Sequence, residues 1–291
     1  MAKDDPTLVM IHVDDLGMSH AANRGGIEAM EGAATCGSIM VPCPGVEEMV
    51  AIALEREDLD FGCHITLNAE FPDYRWPPLL DDVATLSDEN GFLFQTARET
   101  IAHADPAEVK REMRAQVSYL LDAGVKISHI DAHMGTATDQ NFFDDYVQLA
   151  EHFGLPVLLR RLPDGAGDLF NIEHGLRRDR EHFESVLDRM KARGNPVFER
   201  SIPGTPWYNP FVAAEHNRAR LEQCRPGLNY LAVHSAYPTD ELKDFAPDWM
   251  MRDAERYLYA AGGQIEAAIA ELGFSTVNYP VLQGMIRAGQ I

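Results

Sequence analysis

The sequence predicts an α/β protein built as a (β/α) barrel, TIM-like in plan and distorted or seven-stranded. Three observations predict it. Short apolar, β-branched runs alternate with longer amphipathic stretches along the whole chain, the pattern of parallel βαβ units. About seven such strands can be counted, most followed by a helix. The first strand is followed by neither a G-x-G-x-x-G turn nor a phosphate-binding loop, so the runner-up, a doubly wound open sheet for nucleotides, lacks its usual marker. The 291 residues suit one catalytic domain spanning 1–291.

Each element has its own signal. Thr7–Asp15 (TLVMIHVDD) is a near-continuous apolar run, as a strand buried on both faces should be. Helix Ala21–Gly32, strand Thr35–Val41 and helix Val46–Glu57 follow. Phe61–Leu67 (FGCHITL) is the third strand. The spacing predicts a long amphipathic helix over Pro106–Ala123, with Pro in its first turn and Gly124 just past its end. Ile127–His133 is a strand, Phe142–Phe153 a helix and Pro156–Arg160 a strand. Helices are expected at Glu181–Arg193 and Ala213–Cys224, a strand at Tyr230–His234, helices at Trp249–Ala261 and Gln264–Leu272, and a last strand near Thr276–Tyr279. The long interruption at 68–100 follows a strand carrying a histidine. Long loops in compact domains are commonly functional, so this one is expected to lie over the site.

Composition narrows the function. The net charge of −21 opposes nucleic acid, whose binding needs Lys and Arg against phosphates. A neutral or weakly charged small molecule fits better. Cys36, Cys43, Cys63 and Cys224 contain no C-x-x-C pair and are expected to be buried free thiols in a reducing compartment. The start, Met-Ala-Lys-Asp-Asp-Pro, lacks a signal-peptide layout, and no run of about 20 apolar residues could span a bilayer. A cytoplasmic protein with no membrane partner is the expectation.

Four strand ends carry chemistry. Asp14-Asp15 closes the first strand, where adjacent carboxylates repel unless a cation or a shared proton resolves them. Read alone, the pair is better explained by solvated acids before a helix capped by Ser19. His64 stands in an apolar strand, where a lone histidine is more often a core residue than a ligand. His129, Asp131 and His133 alternate, so one strand face presents all three, and burying them without partners is costly. His133, nearest the carboxyl end, is the best ligand. Asp131 would orient an imidazole or complete the coordination, and His129, deeper in, is structural. His234 ends another strand. In a parallel barrel such ends meet at one mouth, so the four together point to a shared site. Asp15, His64 and His133 as ligands leave coordination positions open for water and substrate, the catalytic pattern. A divalent ion there, Mg²⁺ or Zn²⁺, would acidify water and polarise a scissile carbonyl. Asp14 could take the water's proton, and His234 could protonate the leaving group.

These residues resemble the YdjC-like carbohydrate deacetylases. Val13-Asp14-Asp15-Leu16-Gly17-Met18-Ser19 is similar to that family's N-A-D-D-F-G-x-S start, Thr35–Met40 to its T-S-x-S-x-M strand, and Gly62–Leu67 to its G-x-H-x-x-L segment. Leu79-Leu80-Asp81 and Asn90-Gly91-Phe92 resemble the loop that follows, and His129-Ile130-Asp131-Ala132-His133 resembles its T-H-x-D-[SG]-H strand. Trp249–Glu255 is similar to a late helix carrying an Arg, here Arg252, and a Glu. The resemblance covers nearly the whole chain. It implies removal of an acetyl group from an N-acetylated sugar such as a chito-oligosaccharide. It also implies Asp15, His64 and His133 as metal ligands, Asp14 as general base, and His234 assisting the leaving group or oxyanion. The chain departs from the family's pattern at Met134-Gly135-Thr136, where further histidines are common, and at His234-Ser235-Ala236, where His-Pro-Gly is usual.

Two other readings compete. One is a different metal-dependent barrel reaction, sugar isomerisation or cleavage of an ester or phosphate. The other is a non-catalytic metal- or sugar-binding protein, which would not need Asp14 as a spare base. Arg75 and Trp76 could clamp and stack a sugar, or simply belong to a loop with a partly buried Trp. A homo-oligomer is left open.

Overall fold

The computed structural model describes residues 6–162, 169–202 and 209–291; the opening Met1–Asp5, read above for targeting signals, lies outside them. The strands, in chain order, are β1 (Thr7–Leu16), β2 (Cys36–Ile39), β3 (Phe61–Ile65), β4 (Ile127–Ala132), β5 (Leu159–Arg160), β6 (Val197–Phe198), β7 (Arg200–Ile202), β8 (Gly227–Val233) and β9 (Ser275–Thr276). Seven of them form one sheet in the order β4-β3-β2-β1-β8-β7, with β9 beside β1. Every ladder is parallel, so the strands' carboxyl ends face one way. The interval from β4 to β7 is carried by short pairings. Ile130 exchanges backbone hydrogen bonds with Pro156 and Leu158, β5 pairs with β6, and Glu199, between β6 and β7, donates to Leu228 of β8. This is the distorted parallel α/β arrangement that the alternating pattern predicts.

The apolar character of β1 has its cause in its position. It lies between β8 and β2 and is covered on both faces, with Val9, Met10, Ile11 and Val13 fully buried. Each such side chain contributes about 1.5–3 kcal/mol of transfer free energy. The surrounding helices start where capping chemistry allows. Ser19 caps helix His20–Met30 by accepting from Ala22 N–H, and Asp105 with Pro106 opens helix Pro106–Asp122. Gly154 ends helix Phe143–Phe153 in the left-handed conformation.

The expected last strand at Thr276–Tyr279 is a correction. Pairing ends at Thr276, and helix Tyr279–Arg287 follows, with Asn278 as its cap and Pro280 in its first turn. The strand expected at Pro156–Arg160 is reduced to Leu159–Arg160 plus the bridge at Val157. The 68–100 segment contains a 3₁₀ turn, Ala84–Leu86, and most of helix Ala97–His103, closed by a Thr96/Glu99 capping box. All four cysteines are buried and free. No helix among the described residues is long and apolar enough to cross a membrane.

Candidate metal centre

Asp14 and Asp15 are neighbours on β1, and an ideal strand would send them to opposite faces. The chain avoids this by turning at Asp15, whose φ is 65°, while the β1–β2 register shifts between Val13 and Leu16. A left-handed aspartate is uncommon but tolerated. Gly17, at φ 87°, continues the turn, and a side chain there would crowd the Met40 backbone. Both carboxylates thereby reach the same end of the sheet. His64 lies on β3 beside Asp131 of β4 in the parallel ladder. His133 follows β4 directly, at the start of a 3₁₀ segment in which Met134 and Gly135 are also left-handed.

Asp15, His64 and His133 are buried and offer one ligand atom each within 4.8 Å of one another. Asp15 Oδ1 is 3.3 Å from His133 Nδ1 and 3.6 Å from His64 Nε2. This buried oxygen has no hydrogen-bond partner among the described residues. Such an orphan is costly in a protein interior, and a cation would satisfy it. The other oxygen, Oδ2, accepts from Arg252 Nη1 at 2.9 Å.

Each imidazole is held from behind by a carboxylate. His64 Nδ1 is 2.9 Å from Asp131 Oδ2, and His133 Nε2 is 2.9 Å from Glu70 Oε2. Carboxylate–histidine pairs of this kind fix ring orientation and raise basicity in metal sites. The free nitrogens, His64 Nε2 and His133 Nδ1, both face Asp15. The donor set therefore fits a divalent ion of mixed N/O preference.

The electrostatics agree. Burial works against the charged form of Asp15, yet the His133 and His64 rings and the Arg252 guanidinium hold it well below the usual carboxylate range. Burial lowers His64, but the charge of Asp131 and the nearby Asp15 drive it well above its ordinary value. His133, also opposed by burial, is pushed up to about 9 by Glu70 and Asp15. In the absence of an ion, positive charge on these rings and on Arg252 offsets the carboxylates.

Asp14 stands beside this cluster. It takes His12 Nδ1 at 2.6 Å and Tyr230 OH at 3.4 Å. His234 Nε2 lies 3.9 Å away, on a side chain 41% exposed, and Asp14 is itself 16% exposed. Both can meet a ligand entering from solvent. The backbone N–H of His234 donates to Glu255 Oε2 at 2.7 Å, which anchors the end of β8 to helix Trp249–Tyr259. That helix also supplies Arg252, which is tied to Asp248 as well as Asp15.

Arg75 and Trp76 belong to the packing of the 68–100 segment. Arg75 pairs with Asp88 at 2.5 Å and donates to Leu93 O. Trp76 is fully buried and donates its indole N–H to Asn68 O at 2.9 Å, so it presents no open face for a sugar to stack on. What the segment brings to the centre is Glu70. Tyr74, which donates to Met18 O and stacks on Phe245 at 3.9 Å, ties the segment to the β1 turn. Sequence reasoning missed Glu70 because it sits in a loop with no periodicity. It also missed His12, although His12 is two residues before Asp14 on the same strand face.

The comparisons with known proteins accord with this geometry. Residues 8–268 match the family model described as YdjC-like protein. The chain is 30% identical over 271 residues to a carbohydrate deacetylase of Thermus thermophilus, covering 91% of this chain and 90% of that one. It is 24% identical over 276 residues to a carbohydrate deacetylase of Thermoanaerobacter pseudethanolicus, covering 94% and 99%. The crystal structure of a candidate cellobiose-phosphate cleavage protein from Enterococcus faecalis shares the fold, with a TM-score of 0.74, 20% identity, and coverage of 95% and 99%. With its Asp14-Asp15 turn, its His64 and Asp131 pair and a family match running from β1 to helix Gln264–Leu272, the chain belongs to the YdjC-like family.

Proposed function

We propose that the protein is a metal-dependent carbohydrate deacetylase that hydrolyses the N-acetyl group of a chito-oligosaccharide-like sugar. One observation carries the reading. Asp15, His64 and His133 converge around a buried carboxylate oxygen that accepts no hydrogen bond among the described residues, with a second carboxylate, Asp14, beside them and reachable from solvent. A mere binding site would need the first feature and not the second. The names of the relatives, carbohydrate deacetylases matched along nine-tenths of this chain, support the substrate class.

A divalent ion held by Asp15, His64 and His133 would supply Lewis acidity toward an amide carbonyl and toward water. The chain's own residues do the rest. Asp131 and Glu70 keep the two imidazoles turned toward Asp15. Arg252 holds the Asp15 carboxylate from its far oxygen. Asp14 takes the proton of the attacking water, and His234, across a gap of 3.9 Å, delivers a proton to the departing amine. Metal-stripped and reloaded protein, assayed for acetate release from N-acetylglucosamine oligomers, tests this. Metal-dependent release that is lost in Asp14→Asn with metal retained, and lost together with the metal in His64→Ala, is the expected outcome. Metal bound through His64 with no acetate from any N-acetyl sugar would reject the deacetylase and redirect the search to esters, phosphates and isomerisable sugars.

A further inference from the structure

Behind Asp14 a file of polar side chains runs through the interior, and it meets the ligand cluster through Asp131, whose Oδ2 is 3.8 Å from His12 Nε2. His12 Nδ1 meets Asp14 Oδ1 at 2.6 Å. His12 Nε2 meets His129 Nε2 at 2.8 Å. His129 Nδ1 meets Ser128 Oγ at 2.8 Å, and Ser128 stands beside the Asp60 carboxyl, whose charged form it favours. Asp60 immediately precedes β3, at the end of that strand away from His64. The file therefore runs from the carboxyl ends of the strands to the opposite end of the sheet.

The fold is shaped to hold it. Between Phe61↔Ile127 and Cys63↔Ile130, β4 carries one more residue than β3, and this irregularity contains Ser128 and His129. Opposite stands Gly62, where a Cβ would overlap the His129 ring. Tyr279 stacks on His129 at 4.0 Å, and its backbone N–H donates to Asp60 at 3.1 Å. His12 and His129 are fully buried.

Hydrogen-bond bookkeeping leaves few arrangements. The two Nε2 atoms at 2.8 Å must share one proton. An ionised Asp14 accepts from His12 Nδ1–H. In one register His12 is doubly protonated and donates to His129 Nε2. His129 Nδ1–H then donates to Ser128, whose hydroxyl donates to an ionised Asp60. In the other, Asp60 keeps its proton and donates to Ser128, Ser128 donates to His129 Nδ1, and His129 Nε2–H donates to a neutral His12. Both registers contain the same number of protons. They differ only by a shift of one proton across each of the three links from Asp60 to His12.

We infer that His12 is the positioning residue for Asp14, and that Asp60 sets the proton register of His12 from the far end of the sheet through Ser128 and His129. The inference rests on the reading of Asp14 as the general base. The surroundings support it. Burial, then the charges of His12 and His64, keeps His129 well below its ordinary value and hence neutral. Burial opposes the charged form of His12, but Asp131 and Asp14 outweigh it and raise it. His12 is also faced by Tyr230 and Cys36. Burial pushes Asp60 up to about 6, against the opposing influence of Ser128 and the bond from Tyr279 N–H, so neither register is out of reach.

The test uses the folded, metal-loaded protein with ¹⁵N-labelled histidine. Long-range ¹H–¹⁵N spectra report which ring nitrogens carry protons. Asp60→Asn cannot pass a proton along the file, so it should shift the ring nitrogens of both His12 and His129. It should also lower kcat on the order of 10- to 100-fold with KM and metal content unchanged, the usual cost of losing an outer-shell partner. His12→Phe should lose more, and His12→Asn, which keeps a donor toward Asp14, should recover part. If Asp60→Asn retains metal but leaves ring shifts, kcat and the pH profile as in the wild type, the proposal fails while the role of Asp14 stands. Should His12→Phe not fold, Asp60→Asn decides alone. If instead Asp14→Asn deacetylates normally, the general-base reading fails. The nitrogen shifts in Asp60→Asn then still decide whether the register is set from Asp60.

Discussion

Loading the metal-free protein with a divalent ion at pH 7 should release protons, because ligand imidazoles must shed theirs to bind. The structure says which. His64 gives Nδ1 to Asp131 and turns Nε2 toward Asp15, while His133 gives Nε2 to Glu70 and turns Nδ1 toward Asp15. Without the ion, His133 titrates at about 9 and His64 lies well above its ordinary 6.5. At pH 7 His133 is charged, and His64 is shifted the same way. A gap of about two pH units makes the His133 proton alone worth about 100-fold in affinity, or roughly 3 kcal/mol. Affinity should therefore climb between pH 7 and 9 and then level off. Stability of the metal-free protein should move the other way. A raised His133 contributes most below its unfolded value of 6.5 and loses that contribution as pH rises through about 9. Titration calorimetry in buffers of different ionisation heat counts the protons. An ion bound through His64 and His133 with no proton released would refute the charge compensation deduced here.

Three further outcomes follow from the same geometry. Asp131→Asn should weaken metal affinity on the order of 10- to 100-fold, because the amide no longer anchors His64 as a carboxylate does; equilibrium dialysis against a chelator measures it. Arg252→Met strands a buried Asp15 carboxylate and should destabilise the metal-free protein by about 3–5 kcal/mol in urea unfolding, with part recovered on adding the ion; equal stability with and without Arg252 would contradict the pairing. Asp60, raised from 3.8 to about 6, favours the fold most when protonated. As pH rises through that window the wild type should lose about 3 kcal/mol relative to Asp60→Asn, a difference that a flat comparison between pH 4 and 7 would exclude.

Much of this was legible in the chain. Alternating apolar runs gave the parallel α/β plan because a strand covered on both faces has to be apolar. Strand ends marked by Asp14-Asp15, His64, His133 and His234 gave the candidate site because parallel strands bring their carboxyl ends together. The alternation of His129, Asp131 and His133 put all three in the interior, where each has a distinct partner. Other features were hidden for local reasons. The strands β6 and β7 are too short to show a period, and the start of helix Tyr279–Arg287 was masked by the stretch Thr276–Tyr279, which reads as a strand. Trp76 reads in the sequence equally as a sugar platform or as a partly buried loop residue, and only packing shows it enclosed.

The sequence by itself determined which residue types could carry the chemistry and which ends of which strands they occupy, since periodicity and strand direction are local properties. Only the tertiary structure decided how they act together. The left-handed turn at Asp15 let two adjacent carboxylates share one mouth. Glu70 arrived from a loop without a pattern, and Arg252 from a helix more than two hundred residues along the chain. The His12–His129 link joins residues 117 positions apart. Contacts at such separations depend on how the sheet curves and which loops cover it, and no local propensity encodes that.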